Sequence, residues 1–286
     1  MIAGITLRHK ASDFTTSREL PVRYPALSVP DLLVFLQAVF PALFRSMPTL
    51  TTLSCLLSIS AYACFVAIPA IVITRLGPAK PPYPWRTQPS LLQDMTIRLV
   101  RHVFTHFPHD FGRTFFSEPA SLPFSIRRLG GPDSFSHVCQ RICDEARGVD
   151  GWWIQPGGDH SCSSDPDIVV LYIHGGGLTM GSPAFYLQFL QSITLELGAR
   201  GFSNPAVFAV GYGLAPEAQY PSQLEVVRKA WVYATERMGE GYVGIAGDSA
   251  GAGLGVALLL DLANREGMRR PDFATYVYTY QPLILI

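Results

Sequence analysis

Two glycine-rich motifs contain the residues whose types and spacing are best suited to catalysis. The first, at 174–177, reads His-Gly-Gly-Gly, and the second, at 247–251, reads Gly-Asp-Ser-Ala-Gly. In a G-x-S-x-G sequence the serine, here Ser249, occupies a sharp strand-to-helix turn, and its small neighbours leave the hydroxyl accessible. The first motif offers backbone N–H groups where a carbonyl oxygen becomes negative during acyl transfer. Together the motifs predict a serine nucleophile with an oxyanion hole.

The segments around both motifs have the pattern that such a site requires. Residues Ile168–Ile173 form a continuous apolar run, typical of a strand buried on both faces, and lead directly into the first motif. Residues 242–246 predict a second strand before Ser249, and 250–264 have the small and apolar residues of a helix packed on a sheet. Ser182, followed by proline, predicts a helix N-cap after the glycine loop. The predicted order is strand, glycine loop, helix, strand, helix, strand, nucleophile turn and helix.

A third motif, Tyr-Gly-Leu-Ala-Pro-Glu at 212–217, lies between the other two. The three motifs in this order resemble the hormone-sensitive-lipase branch of the α/β-hydrolases, over residues 169–283, although Gly213 stands where that branch often has arginine. Residues 151–154, Gly-Trp-Trp-Ile, are similar to the fungal steryl acetyl hydrolase and arylacetamide deacetylase type. The resemblance implies an α/β-hydrolase fold, with a mostly parallel sheet and helices on both faces.

The resemblance also implies a role for each motif residue. Ser249 corresponds to the nucleophile, and the N–H groups of Gly176, Gly177 and Ala250 correspond to the oxyanion hole. The residues implied to support the motifs without reacting are His174, Gly175, Gly247, Asp248 and Gly251. The implied reaction is hydrolysis of a small hydrophobic carboxylic ester, which needs no metal and no organic cofactor.

The acid and the histidine that would activate Ser249 do not follow it in the chain, as they do in this fold. All seven histidines precede Ser249. Asp261 falls within the predicted helix and Asp272 before the next strand, so neither is placed to be the acid. We therefore expect a hydrolase domain that is incomplete at its carboxyl terminus and turns over esters poorly or not at all. Two alternatives stay open: a non-catalytic small-molecule-binding member of the same fold, and a membrane protein with a vestigial soluble part.

A long uncharged segment precedes the hydrolase motifs. No charged residue occurs between Arg45 and Arg75, and residues 50–74 are mostly apolar. At about 1.5 Å per residue, a helix of this length exceeds a bilayer core of about 30 Å. The segment 46–76 is therefore predicted to be a transmembrane anchor, with a kink near Pro69.

The orientation of this anchor is open. Arg75, Lys80 and Arg86 follow it closely, against Arg45 before it, which favours a cytosolic carboxyl-terminal domain. The resembled anchored family usually places that domain in the lumen of the endoplasmic reticulum. The expected location is therefore a single-pass position in the endoplasmic-reticulum membrane, with either orientation.

Composition completes the expected organisation. Formal net charge is zero and there is no basic patch, which excludes a nucleic-acid partner. Cys139 and Cys143, four residues apart, are predicted to lie on one face of a helix rather than in a metal site. Nothing indicates the oligomeric state. The predicted parts are a polar leader at 1–45 whose apolar run 32–44 lies at the membrane interface, the anchor at 46–76, a proline-rich linker at 77–90, and the hydrolase domain at 91–286 with cap elements at about 91–150.

Overall fold

A computed structural model describes residues 29–76, 91–156 and 165–277 of the chain. The predicted linker at 77–90 and most of the predicted leader lie outside the described residues. By their contacts, the described residues divide into two compact units, one up to Phe124 and one from Ser125 onward.

The first unit is helical, and its core lies on one face of its first helix. Phe35, Val39, Leu43 and Met47 recur every four residues along this face, so that one stripe of the helix is buried. They pack with Cys55, Phe111 and Ala120 from later helices. The helices of this unit are α1 (Val29–Ser46), α2 (Thr49–Tyr62), α3 (Ile68–Leu76), α4 (Leu91–His106), α5 (His109–Phe115) and α6 (Glu118–Arg128), the last of which extends into the second unit.

A continuous helical stretch, Thr49–Ile73, is long and apolar enough to cross a membrane, by length and composition, and 11 % of its most apolar window is buried. It consists of α2, a π-helical turn at Ala63–Ala67 and the first part of α3. The π turn ends two residues before Pro69, the residue near which the sequence predicts a kink. Because proline has no N–H group, it cannot donate to the carbonyl four residues earlier, and the helix loses its regular α hydrogen bonding there.

One side of this apolar stretch is covered by α4. The Ser58 hydroxyl and Nε2 of His102 are 3.2 Å apart, within hydrogen-bond distance. The rings of Tyr62 and His102 stack with centroids 4.1 Å apart. Elsewhere the stretch presents large apolar side chains to its surroundings, with Leu57 71 % and Phe65 81 % exposed.

The second unit is a six-stranded sheet with helices on both faces. The strand order is β1-β2-β4-β3-β5-β6, with β1 and β2 antiparallel to their neighbours and β4, β3, β5 and β6 parallel to one another. The strands are β1 (Cys139–Asp144), β2 (Val149–Ile154), β3 (Ile168–Ile173), β4 (Pro205–Val210), β5 (Tyr242–Asp248) and β6 (Phe273–Val277), and the helices are α7 (Pro132–Val138), α8 (Leu187–Ala199), α9 (Ser222–Arg237) and α10 (Ser249–Ala263).

This arrangement confirms the predicted order of elements and the predicted fold class. All six residues of β3 are buried, as its uninterrupted apolar sequence predicts. On one face Leu171 shares a core with α9 and α10, where Trp231 is fully buried. On the other face Tyr172 packs against Phe189 of α8, with ring centroids 6.2 Å apart. Each fully buried apolar side chain contributes about 1.5–3 kcal/mol, so these two layers hold the edge of the sheet at which the motifs lie.

Two local predictions are wrong. Cys139 and Cys143 lie on strand β1 and not on a helix. β1 pairs with β2 along its whole length, so sheet pairing decided the structure of this segment. Ser182 does occupy an N-cap position, but it precedes a short 3₁₀ helix, Pro183–Tyr186, and its hydroxyl makes no capping hydrogen bond.

Candidate active site

The turn at Ser249 joins β5 directly to α10, with no intervening loop. Ser249 has a backbone φ of 48°, in the left-handed region that non-glycine residues seldom occupy. Its side chain is exposed. Such a strained turn between strand and helix presents the hydroxyl outward at the end of the sheet, as the G-x-S-x-G pattern predicts.

The glycines of this turn are required by its close packing on β3. A Cβ atom at Gly247 would lie 2.8 Å from the carbonyl oxygen of Ile173. One at Gly251 would overlap the same oxygen, and also the carbonyl of His174. Only glycine allows the start of α10 to approach the end of β3 this closely.

The register of the two strands brings the motifs to the same edge. β3 and β5 are parallel neighbours, and Ile173 pairs with Gly247. His174 follows β3 and Asp248 is the last residue of β5, so the two residues lie side by side at this end of the sheet. The glycine loop and the serine turn thus meet at the carboxyl edge of one sheet, although 75 residues separate His174 from Ser249.

The glycine loop is shaped by residues with positive φ. Gly176 and Gly177 have φ values of 116° and 65°, and Leu178 follows with 62°. The carbonyl of Gly176 accepts the N–H groups of Thr179 and Met180, at 3.1 and 3.0 Å. This closes the loop into a tight turn in which the Gly176 carbonyl points back into the loop.

The backbone N–H groups of Gly176 and Gly177 are available for an outside acceptor. Within the part of the chain that the structure describes, neither donates to a backbone carbonyl. Ala250 is the second residue of α10, and the first four N–H groups of a helix have no partner inside it. These three N–H groups belong to the two segments that leave this edge of the sheet, where the helix dipole of α10 favours negative charge.

Asp248 links the serine turn to the glycine loop. Its Oδ1 accepts the backbone N–H of Gly175 at 2.8 Å and the hydroxyl of Tyr172 at 2.8 Å. Its Oδ2 accepts the hydroxyl of Tyr186 at 3.1 Å. A Cβ atom at Gly175 would overlap this carboxylate. The two motifs are thus connected by a charge-assisted hydrogen bond as well as by the sheet.

His174 is buried beneath the loop. Its Nδ1 donates to the carbonyl of Gly175 at 2.8 Å, which fixes the neutral tautomer with the proton on Nδ1. Burial lowers the pKa of His174 to about 4, against the opposite effects of that hydrogen bond and of the Asp248 carboxylate. The imidazole is therefore neutral at pH 7 and is positioned to support the loop.

The third motif holds the glycine loop from the other side. Tyr212 stacks on His174, with ring centroids 4.2 Å apart and planes 8° apart. The N–H of Ala215 donates to the carbonyl of Leu178 at 2.8 Å. At Gly213 a Cβ atom would lie 2.6 Å from the Cβ of Ala218, so in this chain glycine allows a close approach within the motif.

The two aspartates that follow Ser249 are engaged elsewhere. Asp261 lies in α10 and pairs with Arg265 at 2.9 Å. Asp272 accepts the backbone N–H of Val243 at 2.7 Å, at the start of β5 and thus at the opposite end of that strand from Ser249. Both positions agree with the sequence argument that neither is a triad acid. Across 29–76, 91–156 and 165–277, no three His, Cys, Asp or Glu residues are grouped so that they could hold a metal ion.

The tyrosines at 172 and 186 are the site residues that sequence reasoning missed. No motif includes them, since Tyr172 reads as one more buried strand residue and Tyr186 as part of the helix after the loop. Burial, followed by the nearby Asp248 carboxylate, raises the pKa of both phenols, so both stay protonated donors. No signal in the sequence marks them, because the Asp248 carboxylate that joins them is 62 residues or more away along the chain.

Comparison with known proteins identifies the domain. Residues 170–284 match the family model described as alpha/beta hydrolase fold. The chain is 27 % identical to mouse neutral cholesterol ester hydrolase 1 over 216 residues, which is 72 % of this chain and 47 % of that protein. It is 34 % identical to mouse hormone-sensitive lipase over 110 residues, 36 % of this chain and 13 % of that protein. A solved esterase from the bacterial hormone-sensitive lipase family aligns with a TM-score of 0.40 and 27 % identity, over 55 % of this chain and 49 % of that one.

The chain therefore contains an α/β-hydrolase domain, and the proteins that it resembles are hydrolases acting on ester bonds. The chain spans about half the length of the curated relatives that it matches over most of its own length.

Proposed function

We propose that the protein is a carboxylic-ester hydrolase in which Ser249 is the nucleophile. The observation that supports this most is the placement of an exposed serine with a φ of 48° at the edge of the sheet where the glycine loop begins. A serine at such a turn, next to free backbone donors, is an arrangement suited to acyl transfer.

The chemistry follows from the donors at this edge. The Oγ of Ser249 attacks the ester carbonyl carbon, and the electron pair of the C=O double bond moves onto the carbonyl oxygen. The N–H groups of Gly176, Gly177 and Ala250 stabilise this oxyanion, an effect typically worth about 2.7–4 kcal/mol for one donor. Collapse of the intermediate expels the alcohol and leaves an acyl group on Ser249, which water then hydrolyses.

The proton of the Ser249 hydroxyl must pass to a base and from there to the leaving alcohol. We assign this role to none of the described histidines, because none is hydrogen-bonded to Ser249 and His174 already uses Nδ1 to support the loop. The role of His174, Gly175, Gly247, Asp248 and Gly251 in the proposal is to hold the serine turn and the loop together.

The proposed substrate is a hydrophobic ester presented at a membrane. Support comes from the relative named as a cholesterol ester hydrolase and from the exposed apolar helix at Thr49–Ile73. We propose that this helix is a single-pass anchor and that α1, whose outward side exposes Leu33 and Phe40, lies at the bilayer interface. Placement in the endoplasmic reticulum rests on the family resemblance alone.

The proposed nucleophile is tested by covalent labelling, which requires one reaction per molecule and no turnover. The detergent-solubilised chain is incubated with excess p-nitrophenyl phosphonate ester, and the labelled peptide is located by mass spectrometry. We expect the phosphonyl group on Ser249, no label in Ser249→Ala, and full labelling in Ser192→Ala, which removes a serine from α8. Labelling spread over several serines, or unchanged in Ser249→Ala, would reject the proposal.

A further inference from the structure

Two tyrosines outside every motif bind the same carboxylate. Tyr172 donates to Oδ1 of Asp248 at 2.8 Å, and Tyr186 donates to Oδ2 at 3.1 Å. Gly175 donates its backbone N–H to Oδ1 as well, at 2.8 Å. Tyr172 precedes the glycine loop, Gly175 belongs to it and Tyr186 follows it. One carboxylate, adjacent in sequence to Ser249, is therefore bonded to the chain before, within and after the loop.

The surroundings of the two tyrosines keep both hydroxyl groups protonated, so the hydrogen bonds to Asp248 persist. Burial raises the pKa of both tyrosines, and the Asp248 charge raises it further, so both hydroxyls remain donors throughout the neutral range. An ionised carboxylate accepts only, and each of its two oxygens has a tyrosine hydroxyl directed at it. The side chain of Asp248 is thus fixed in orientation by contacts on both oxygens.

The fixed carboxylate determines where the loop lies. Gly175 is held against it through the backbone N–H, without room for a Cβ atom. The next peptide groups are those of Gly176 and Gly177, whose N–H groups have no backbone acceptor among the described residues. A displacement of the Gly175 peptide would move both donors relative to Ser249. Oxyanion donors act over a narrow distance range, about 2.7–3.1 Å from the developing charge.

We propose that Tyr172 and Tyr186 are positioning residues for the oxyanion hole, acting through Asp248 and Gly175. This inference rests on the proposed function of Ser249. Neither tyrosine touches the reacting atoms in this mechanism. Their contribution is to hold the loop donors at the correct distance from the nucleophile, so that removal of one hydroxyl slows the chemical step and leaves ester binding almost unchanged.

The first test measures the loop itself and requires no catalysis. Amide hydrogen exchange is followed by mass spectrometry in the peptide covering 172–181, for the wild-type chain, Tyr172→Phe and Tyr186→Phe. We expect exchange about tenfold faster in both variants, because the loop opens locally more often. Tyr233→Phe, which removes the hydroxyl of a buried tyrosine on α9, is the matched control and leaves the exchange of this peptide unchanged. Exchange in the α9 peptides stays the same in the two loop variants.

The second test separates positioning from substrate contact. For phosphonylation of Ser249, the maximal rate constant kinact and the half-saturating concentration KI are measured for each variant. We expect kinact to fall about tenfold in Tyr172→Phe and Tyr186→Phe, with KI within about twofold of wild type. Asp248→Asn retains an acceptor for the Gly175 N–H, so we expect its kinact to fall less than that of Asp248→Ala.

The outcomes distinguish the two proposals. Unchanged exchange at 172–181 in both tyrosine variants overturns the positioning role, whatever the reactivity of Ser249. A raised KI with unchanged kinact also overturns it, because the tyrosines would then bind the substrate. If wild-type Ser249 does not react at all, the proposed function fails, and the exchange measurement still decides whether the tyrosines hold the loop.

Discussion

Tyr212 donates its hydroxyl to the backbone carbonyl of His174 at 2.6 Å while its ring stacks on the imidazole of the same residue. A residue of the third motif thus holds both the backbone and the side chain of the first residue of the glycine loop. Because His174 follows β3 directly, this contact fixes the point at which the loop leaves the sheet. The third motif therefore has a structural function at the site without supplying a reactive group.

The buried histidine predicts a pH dependence of stability. Burial lowers the pKa of His174 to about 4 from an ordinary value of 6.5. Between these values the unfolded chain binds a proton that the folded chain does not, so the free energy of unfolding falls as the pH is lowered from 6.5 towards 4. The limiting slope for one proton is about 1.4 kcal/mol per pH unit.

Denaturant unfolding at several pH values between 7 and 4.5 measures this slope. We expect the free energy of unfolding to depend less steeply on pH in His174→Gln than in the wild-type chain. The control variant His137→Gln, which replaces an exposed histidine on α7, should keep the wild-type slope. The slopes are compared rather than the absolute stabilities, because His174→Gln also loses the stacking on Tyr212. Equal slopes in wild type and His174→Gln would show that His174 is not buried in its neutral form.

Because the serine turn lies so close to β3, alanine should have opposite effects on stability at two glycines, Gly251 and Gly198. At Gly251 a methyl group would overlap backbone carbonyl oxygens of Ile173 and His174, and backbone atoms cannot move aside cheaply. At Gly198, on α8, nothing lies within 4 Å of the added atom. We expect Gly251→Ala to reduce the free energy of unfolding by more than about 2 kcal/mol. Gly198→Ala is expected to increase it by up to about 1 kcal/mol, since alanine favours helix.

Both values come from guanidinium unfolding monitored by tryptophan fluorescence. Trp231 and Trp153 are buried in the second unit and report on its unfolding. The close packing of the turn on β3 would be contradicted if both variants lost a similar free energy of unfolding. It would also be contradicted if Gly251→Ala left the free energy of unfolding unchanged.

The local sequence around the motifs was sufficient to predict the buried strands and the order of the elements that follow them. Uninterrupted apolar runs such as Ile168–Ile173 leave few alternatives, and each run ends in glycines that break it. The segment containing Cys139 was predicted wrongly, because a six-residue strand pairing with β2 has no periodicity strong enough to distinguish it from a helix. Tyr172 and Tyr186 could not be identified as site residues, since the carboxylate that joins them is 62 residues or more away in sequence.

The apolar helix predicts retention in membranes. After a wash at alkaline pH, the protein should remain in the membrane pellet and be released by detergent. Leu57 and Phe65 are largely exposed in the folded chain. If the helix packed only against α4 in a soluble bundle, lysine at both positions would therefore be tolerated. In a bilayer each charge costs about 2.5–3.5 kcal/mol near the helix centre. We therefore expect Leu57→Lys combined with Phe65→Lys to release the protein, and recovery of wild type in the soluble fraction would exclude the anchor.

The 286-residue chain is expected to turn over esters slowly. Among the described residues no histidine is hydrogen-bonded to Ser249, and His174 uses its Nδ1 within the glycine loop. Removal of a triad member leaves only about 10³–10⁴-fold acceleration over water, from binding and the oxyanion hole. Steady-state hydrolysis of short-chain p-nitrophenyl esters should thus differ little between the chain and Ser249→Ala. A turnover far above that of Ser249→Ala would indicate that one of the upstream histidines acts as the base.

The most direct test of the central claim is detection of the acyl group on Ser249. Without an efficient base, attack on an ester and hydrolysis of the acylated serine are both slow, so an acylated chain should accumulate with excess p-nitrophenyl butyrate. Intact mass and peptide mapping measure it. We expect one butyryl group on the peptide containing Ser249 and none on that peptide in Ser249→Ala. An unmodified Ser249, with butyryl groups found only on other residues, would contradict it.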